Sequence, residues 1–446
     1  MRAKRTSQAS IFDQFAAHDI GRELAGMSAQ LDAHPVLLDF VAEDLGSSAS
    51  TGRCGLTAES ALRCALLKQY RQLSYEELAF HLLDSASFQA FARLPGGWTP
   101  SKAALQVNIA AITDTTWQAI NAQLLGAAGQ AGVERATMWR IDSTVIDSPI
   151  HPPSDASLLL DSVRVMVRLL TAGQAVPGAP TLRWHNHMRR AKKRARAICY
   201  TRGHDKKQAL YRDLVEVTQA TLGYLENSAT RLSRSGAEGT ALWLWEAEVE
   251  QFAPLIAQVI DQTQRRVFNG ERVPAADKLV SLFEPHTDII FKDRRAVHYG
   301  HKLNLTSGAS GLIFDAVIED GNPADAERFM PMLQRHIDTF GTVPRQVAAD
   351  GGYASKDNLA AAIEAGVEDV AFHKKRGLEV KDMARSPWVY RKLRNFRAGI
   401  EAGISCLKRA YGLARCTWKG LAHFTAYVWS SVVAHNLALM ARRAPE

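Results

Sequence analysis

From about residue 154 to 280 the chain keeps a helical periodicity, and strand-like segments occur only on either side of that block. Within it, apolar residues recur at Leu158, Val165 and Leu169, at Leu210, Val217, Leu225 and Leu232, and from Leu242 to Val267. Before it, Met138-Trp139-Arg140-Ile141-Asp142 reads as a strand ending at Asp142. After it come strand patterns at Ile289-Ile290-Phe291, at 302–306, at 312–318, at 347–350 and at 370–372. Helices are expected after Pro323 and from Lys356 to Ala365. Any sheet must therefore be assembled from segments lying on both sides of a long helical block. The order predicts an α/β fold, a mixed sheet with flanking helices, interrupted by an all-α insertion.

The first 130 residues predict a separate all-α domain. Leu62, Leu66 and Leu67, then Leu78, Leu82 and Leu83, follow helical spacing with a break at Leu73-Ser74-Tyr75. Ser74 followed by Glu77 is a capping-box signature for a new helix. Ser101 can cap another after the loop Pro95-Gly96-Gly97-Trp98-Thr99-Pro100. Short helices with tight turns suit a helix-turn-helix-like DNA module and equally a plain helical bundle. The expected division is 1–130 as an N-terminal helical domain, 131–153 with 281–446 as the sheet-bearing core, and 154–280 as the insertion.

Charge is distributed unevenly. The net is +8, yet residues 183–207 hold ten Lys or Arg against one acid, and residues 371–420 hold thirteen against three. The remainder is acidic, so the two basic segments suggest a polyanion surface. A solvated basic helix is the simpler account of either segment alone. No run of about 18 apolar residues predicts a membrane span, and the basic N-terminus lacks the apolar stretch of a signal peptide. Five cysteines without a Cys-x-x-Cys pair suit reduced thiols, so a cytoplasmic protein without membrane contact is expected.

Three acids carry the chemistry. Asp142 closes one apolar run and Asp350 another, the latter followed at once by Gly351-Gly352. Glu401 lies on a helical stretch with Arg397 and Lys408, four and seven residues away and on one helical face, beside the apolar stripe Phe396, Ile400, Ile404 and Leu407. Phosphodiester cleavage needs an activated nucleophile and compensation for charge on the phosphorus oxygens, which two Mg2+ ions can supply. Mg2+ takes hard oxygen ligands and keeps several waters, so a few carboxylates suffice. Each acid also has an ordinary reading: Asp-Gly is a common turn, and Glu between bases is a common exposed helical pattern.

The spacing Arg397, three residues, Glu401, six residues, Lys408 resembles the signature of bacterial insertion-sequence DDE transposases, with Arg394 standing where that signature has tyrosine. His298-Tyr299-Gly300-His301-Lys302-Leu303-Asn304-Leu305, Glu319-Asp320-Gly321-Asn322-Pro323 and Arg415-Cys416-Thr417-Trp418-Lys419-Gly420 add to the likeness. So do Gly55-Leu56-Thr57-Ala58-Glu59 and Leu73-Ser74-Tyr75-Glu76-Glu77-Leu78 near the start, and the resemblance implies that 1–130 is a DNA-binding domain and that 131–153 with 281–446 is the catalytic core. Ile150-His151-Pro152-Pro153-Ser154-Asp155 and Asp161-Ser162-Val163-Arg164-Val165 resemble the ISNCY-like subgroup with a helical insert after the first acid.

The resemblance implies an RNase H-like core in which Asp142, Asp350 and Glu401 bind two Mg2+ ions, with Mn2+ able to substitute. It implies cleavage at the terminal inverted repeats of an insertion sequence and strand transfer into target DNA. Arg394, Arg397 and Lys408, with Arg189, Arg190, Lys192, Lys193 and Arg194, would then meet phosphates of double-stranded DNA. Joining two ends in one event implies a homodimer or larger assembly on DNA. The competing expectation is an inactive, transposase-derived DNA-binding regulator. His151 and Asp155 are better explained by a helix start at Ser154 than as metal ligands, and Asp147 is expected past the strand end.

Overall fold

A computed structural model describes Lys4 and residues 15–46, 55–94, 98–292, 296–374 and 376–443. Cys54, residues 11–14 and the Pro95-Gly96-Gly97 part of the expected loop lie outside them. Seven helices come first: α1 (Asp19–Ala33), α2 (Leu37–Asp44), α3 (Ala58–Arg71), α4 (Tyr75–Asp84), α5 (Ala86–Ala92), α6 (Lys102–Ala110) and α7 (Asp114–Gln130). Strand β1 (Met138–Asp147) precedes α8 (Asp155–Gln174), α9 (Met188–Tyr200), α10 (His204–Ser233) and α11 (Thr240–Val267). Then follow β2 (Asp288–Lys292), β3 (Ala296–Ser307), β4 (Ile313–Ile318), α12 (Asp325–Phe340), β5 (Gln346–Ala349), α13 (Lys356–Glu364) and β6 (Asp369–Phe372). The chain closes with α14 (Val380–Met383), α15 (Pro387–Ala410) and α16 (Leu421–Arg443).

The helix starts follow side-chain caps legible in the sequence. Ser74 and Glu77 form a reciprocal capping box at α4, and Ser101 caps α6. Ser154 caps α8, so Asp155 is the first residue of that helix. Each cap satisfies backbone donors that have no partner within the helix.

The fold is α/β, a mixed six-stranded sheet with flanking helices and a helical N-terminal region, consistent with an RNase H-like transposase core. Strand order is β2-β3-β1-β5-β6, with β4 on β3. β1 pairs parallel with β5 and antiparallel with β3. It does not stop at Asp142, because the antiparallel ladder with β3 runs on to the pair Asp147↔Gly300. Asp147 therefore ends the strand and does not lie past it.

The chain divides into two compact units, residues 1–147 with 300–446, and residues 148–299. In the first unit one apolar core extends from Leu24 to Met440 and takes in the N-terminal helices, strands β1 and β3 to β6, and α16. Sequence patterns place a boundary near residue 130, but buried amides tie the elements there together. Asn436 of α16 accepts from the Ile313 amide (2.9 Å) and donates to the Ile313 carbonyl (2.8 Å) and to Asn121 of α7 (2.7 Å). Helix α3 is buried from Ala58 to Tyr70, so α4 is the more exposed of the two.

The second unit has its own apolar core, built from α8 to α11. It is not purely helical, since it also contains β2 and the first residues of β3. Ala191, Ala195 and Ile198 bury one face of the basic helix α9.

Candidate active site

Parallel pairing of β1 with β5 sets the two aspartates at one level. The ladder runs from Met138↔Gln346 to Ile141↔Ala349. Asp142 and Asp350 are the next residues on each strand, and paired positions of parallel strands project to the same face. Ile141 and Ala349 are wholly buried, and the alternation of a strand turns the following aspartates the other way.

The two glycines after Asp350 are required by close approaches within the protein. A Cβ at Gly351 would stand 2.6 Å from the Lys374 Cβ, and one at Gly352 would stand 2.5 Å from an Asp325 carboxylate oxygen. The space beside this backbone is filled by the side chains of Lys374 and Asp325.

Glu401 arrives on α15, which Ser386 caps and Pro387 opens. Val389, Leu393, Ile400, Ile404 and Leu407 bury its inner face. The helix is seated on the sheet by Arg140 of β1. Its guanidinium donates to the Phe396 carbonyl (2.8 Å) and to the Ser307 hydroxyl (2.7 Å), with its charge 4.5 Å from the Phe396 ring centre. Burial pulls the Arg140 pKa down to about 10. A Cβ at Gly399 would fall 1.9 Å from an Arg140 nitrogen, so glycine there lets α15 approach β1. Sequence reasoning passed over both residues; an arginine inside an apolar strand run was the available signal.

Arg397 draws the three acids together. Its Nη1 lies 3.6 Å from Asp142 and 3.7 Å from Asp350, and its Nη2 donates to Glu401 at 2.7 Å. The residue is only 7% exposed, and its Nε is buried without a hydrogen-bond partner. Asp142 also accepts from the Ser143 amide (2.8 Å). The expected phosphate contact thus has a different set of partners here: Arg397 faces the carboxylates. It was legible in part, because Leu393, Arg397, Ile400, Ile404 and Leu407 share helical spacing and put arginine within the buried stripe.

Behind the cluster, the Tyr353 hydroxyl donates to Asn304 (2.6 Å), and Asn304 donates to Glu319 (2.6 Å). Burial, followed by the charges of Asp325 and Asp142, raises the Tyr353 pKa well above its ordinary value, so it stays a neutral donor.

The donor set suits divalent cations. Three carboxylates supply hard oxygen ligands, and a single guanidinium offsets only one of their three charges. Among the described residues, no three His, Cys, Asp or Glu side chains stand at metal-binding spacing. The acids close around Arg397 instead.

The remaining expected DNA contacts have various settings. Arg394 is exposed on α15, while Lys408 donates to the Val145 carbonyl (2.8 Å). On α9, Arg189, Lys192 and Lys193 are exposed, and Arg190 and Arg194 both pair with Asp213. Burial alone would raise the Asp213 pKa, but hydrogen bonds from Arg194 and Arg190 hold it below its usual value. His151 hydrogen-bonds Asp161 (2.9 Å), and Asp155 takes Arg266 on both oxygens.

Residues 279–437 match the family model of a transposase DDE domain. The match supports a DDE transposase, a family that acts on DNA and generally uses divalent metal ions. It contains Asp350 and Glu401 but not Asp142, whose place beside them comes from the β1–β5 register. Neither a curated protein nor a solved structure matches the chain. Among the described residues no helix is long and apolar enough to cross a membrane.

Proposed function

We propose that the chain is a DNA transposase that cuts at the terminal inverted repeats of its insertion sequence and joins the freed 3′ end to target DNA. The observation that carries this reading is the convergence of Asp142, Asp350 and Glu401, from three distant segments, on one guanidinium. These three acids would hold two Mg2+ ions, or Mn2+ in their place, supplying nucleophile activation and charge compensation at the phosphorus oxygens. Both reactions are in-line displacements at phosphorus, for which positioning matters more than covalent chemistry.

The chain's own residues supply that positioning. The short parallel ladder fixes the two aspartates, and Arg140 with Gly399 fixes the helix that brings Glu401. Arg397 restrains all three carboxylates. Arg394, Lys408 and the bases of α9 would hold phosphates of element and target DNA, with two copies of the chain on paired ends.

The test is Mg2+- or Mn2+-dependent nicking of element-end DNA by the wild type and by Asp350→Asn. Nicking by the wild type alone is expected. Equal nicking by both would remove the site assignment. No nicking by either, with tight binding to the ends, would favour an inactive DNA-binding regulator.

A further inference from the structure

In the unit formed by 1–147 and 300–446, a pocket of about 560 Å3 is lined by the turn before α4, the start of α6 and the chain around the end of α15. Lys408, on its wall, lies seven residues beyond Glu401, about 10 Å along the helix. Four cations line the pocket, Lys68, Lys102, Lys408 and Arg415, against the two acids Glu76 and Glu77.

Lys68 is the unusual member. It is 4% exposed, and among the described residues no carboxylate or other acceptor hydrogen-bonds its ammonium. The charge instead lies over two rings, 4.8 Å from the centre of Tyr75 and 5.7 Å from that of Trp418. Ring faces offset only part of the cost of burying a cation, so the arrangement lacks an anion. Burial lowers its pKa to about 8, against smaller opposing effects from Cys416 and Glu77. Glu77 is engaged in the capping box of α4, and Glu76 pairs with Lys102 at 3.1 Å.

We propose that this pocket is a second DNA contact, in which Lys68 at the base and Lys102 and Arg415 at the rim receive a backbone phosphate. The three N–H donors of the Lys68 ammonium, which have no acceptor among the described residues, suit the several oxygens of a phosphate. The DNA source rests on the function proposed above, and Lys408 joins this pocket to the helix bearing Glu401.

Binding of a mixed-sequence DNA duplex, measured by fluorescence anisotropy over a range of salt, tests the proposal with Lys68→Met, Lys102→Glu and Lys68→Arg. Both Lys68→Met and Lys102→Glu should bind more weakly and flatten the plot of log affinity against log salt, by about 0.9 for each lost phosphate contact. Lys68→Arg should keep the wild-type slope. Should Lys68→Met fail to fold, Lys102→Glu on the exposed rim carries the measurement. Wild-type slopes in both variants would overturn the pocket assignment and leave the transposase reading standing. Absence of duplex binding by the wild type would overturn both. Inorganic phosphate bound by the wild type but not by Lys68→Met, with DNA affinity unchanged, would overturn DNA as the source.

Discussion

Replacing Arg397 by methionine should destabilise the protein and sharpen its response to divalent cations. The substitution removes the cation that lies 2.7–3.7 Å from three carboxylates. At an effective dielectric of about 20, one such pair is worth roughly 4–6 kcal/mol before desolvation is counted. Solvent screens much of that for Asp350 and Glu401, whose side chains are 41% and 56% exposed. Asp142, at 18%, is the acid most dependent on Arg397. Truncating one member of a fully buried pair costs about 3–5 kcal/mol, so a partly exposed cluster should lose about 2–3 kcal/mol. Urea unfolding without metal reads this loss directly. Mn2+ should then restore more stability to the variant than it adds to the wild type, because the carboxylates have lost their competing cation. A tenfold tighter metal affinity corresponds to about 1.4 kcal/mol at saturating metal. A variant as stable as the wild type would refute the role of Arg397 as counter-ion. An equal gain from Mn2+ in both proteins would refute the idea that the three acids form one cation site.

Gly399→Ala should destabilise by about 1–3 kcal/mol, since the new methyl forces Arg140 to give up its bonds to Phe396 and Ser307 or drives α15 off the sheet. Unfolding within 0.5 kcal/mol of wild type, roughly the surface-substitution range, would show that the approach is not constrained. His336 should contribute to acid lability. Burial lowers its pKa to about 4 from a usual value near 6.5, so the folded state binds its proton less readily than the unfolded state. Stability is then intact above about pH 6.5 and falls as pH drops towards 4, by up to about 3 kcal/mol from this residue. His336→Phe, within the cluster of Trp139, Phe314 and Phe340, should flatten that part of the stability–pH curve. An unchanged curve would exclude His336 as a source.

Local signals in the sequence determined most elements and several of their ends. Caps at Ser74, Ser101 and Ser154 act on the next three residues, so they are legible without a partner segment. The strand positions after residue 281 and the α/β order followed from periodicity for the same reason. Tertiary structure decided what local pattern could not. β1 extends to Asp147 because β3, far along the chain, continues its ladder, and an apolar run does not reveal a partner's length. Asp142 and Asp350 come level through the β1–β5 register, which no single segment encodes. Helical spacing put Arg397, Glu401 and Lys408 on one face. Only the sheet beneath α15 decided that Arg397 faces inward, where its charge collects three acids that the sequence could name but not assemble.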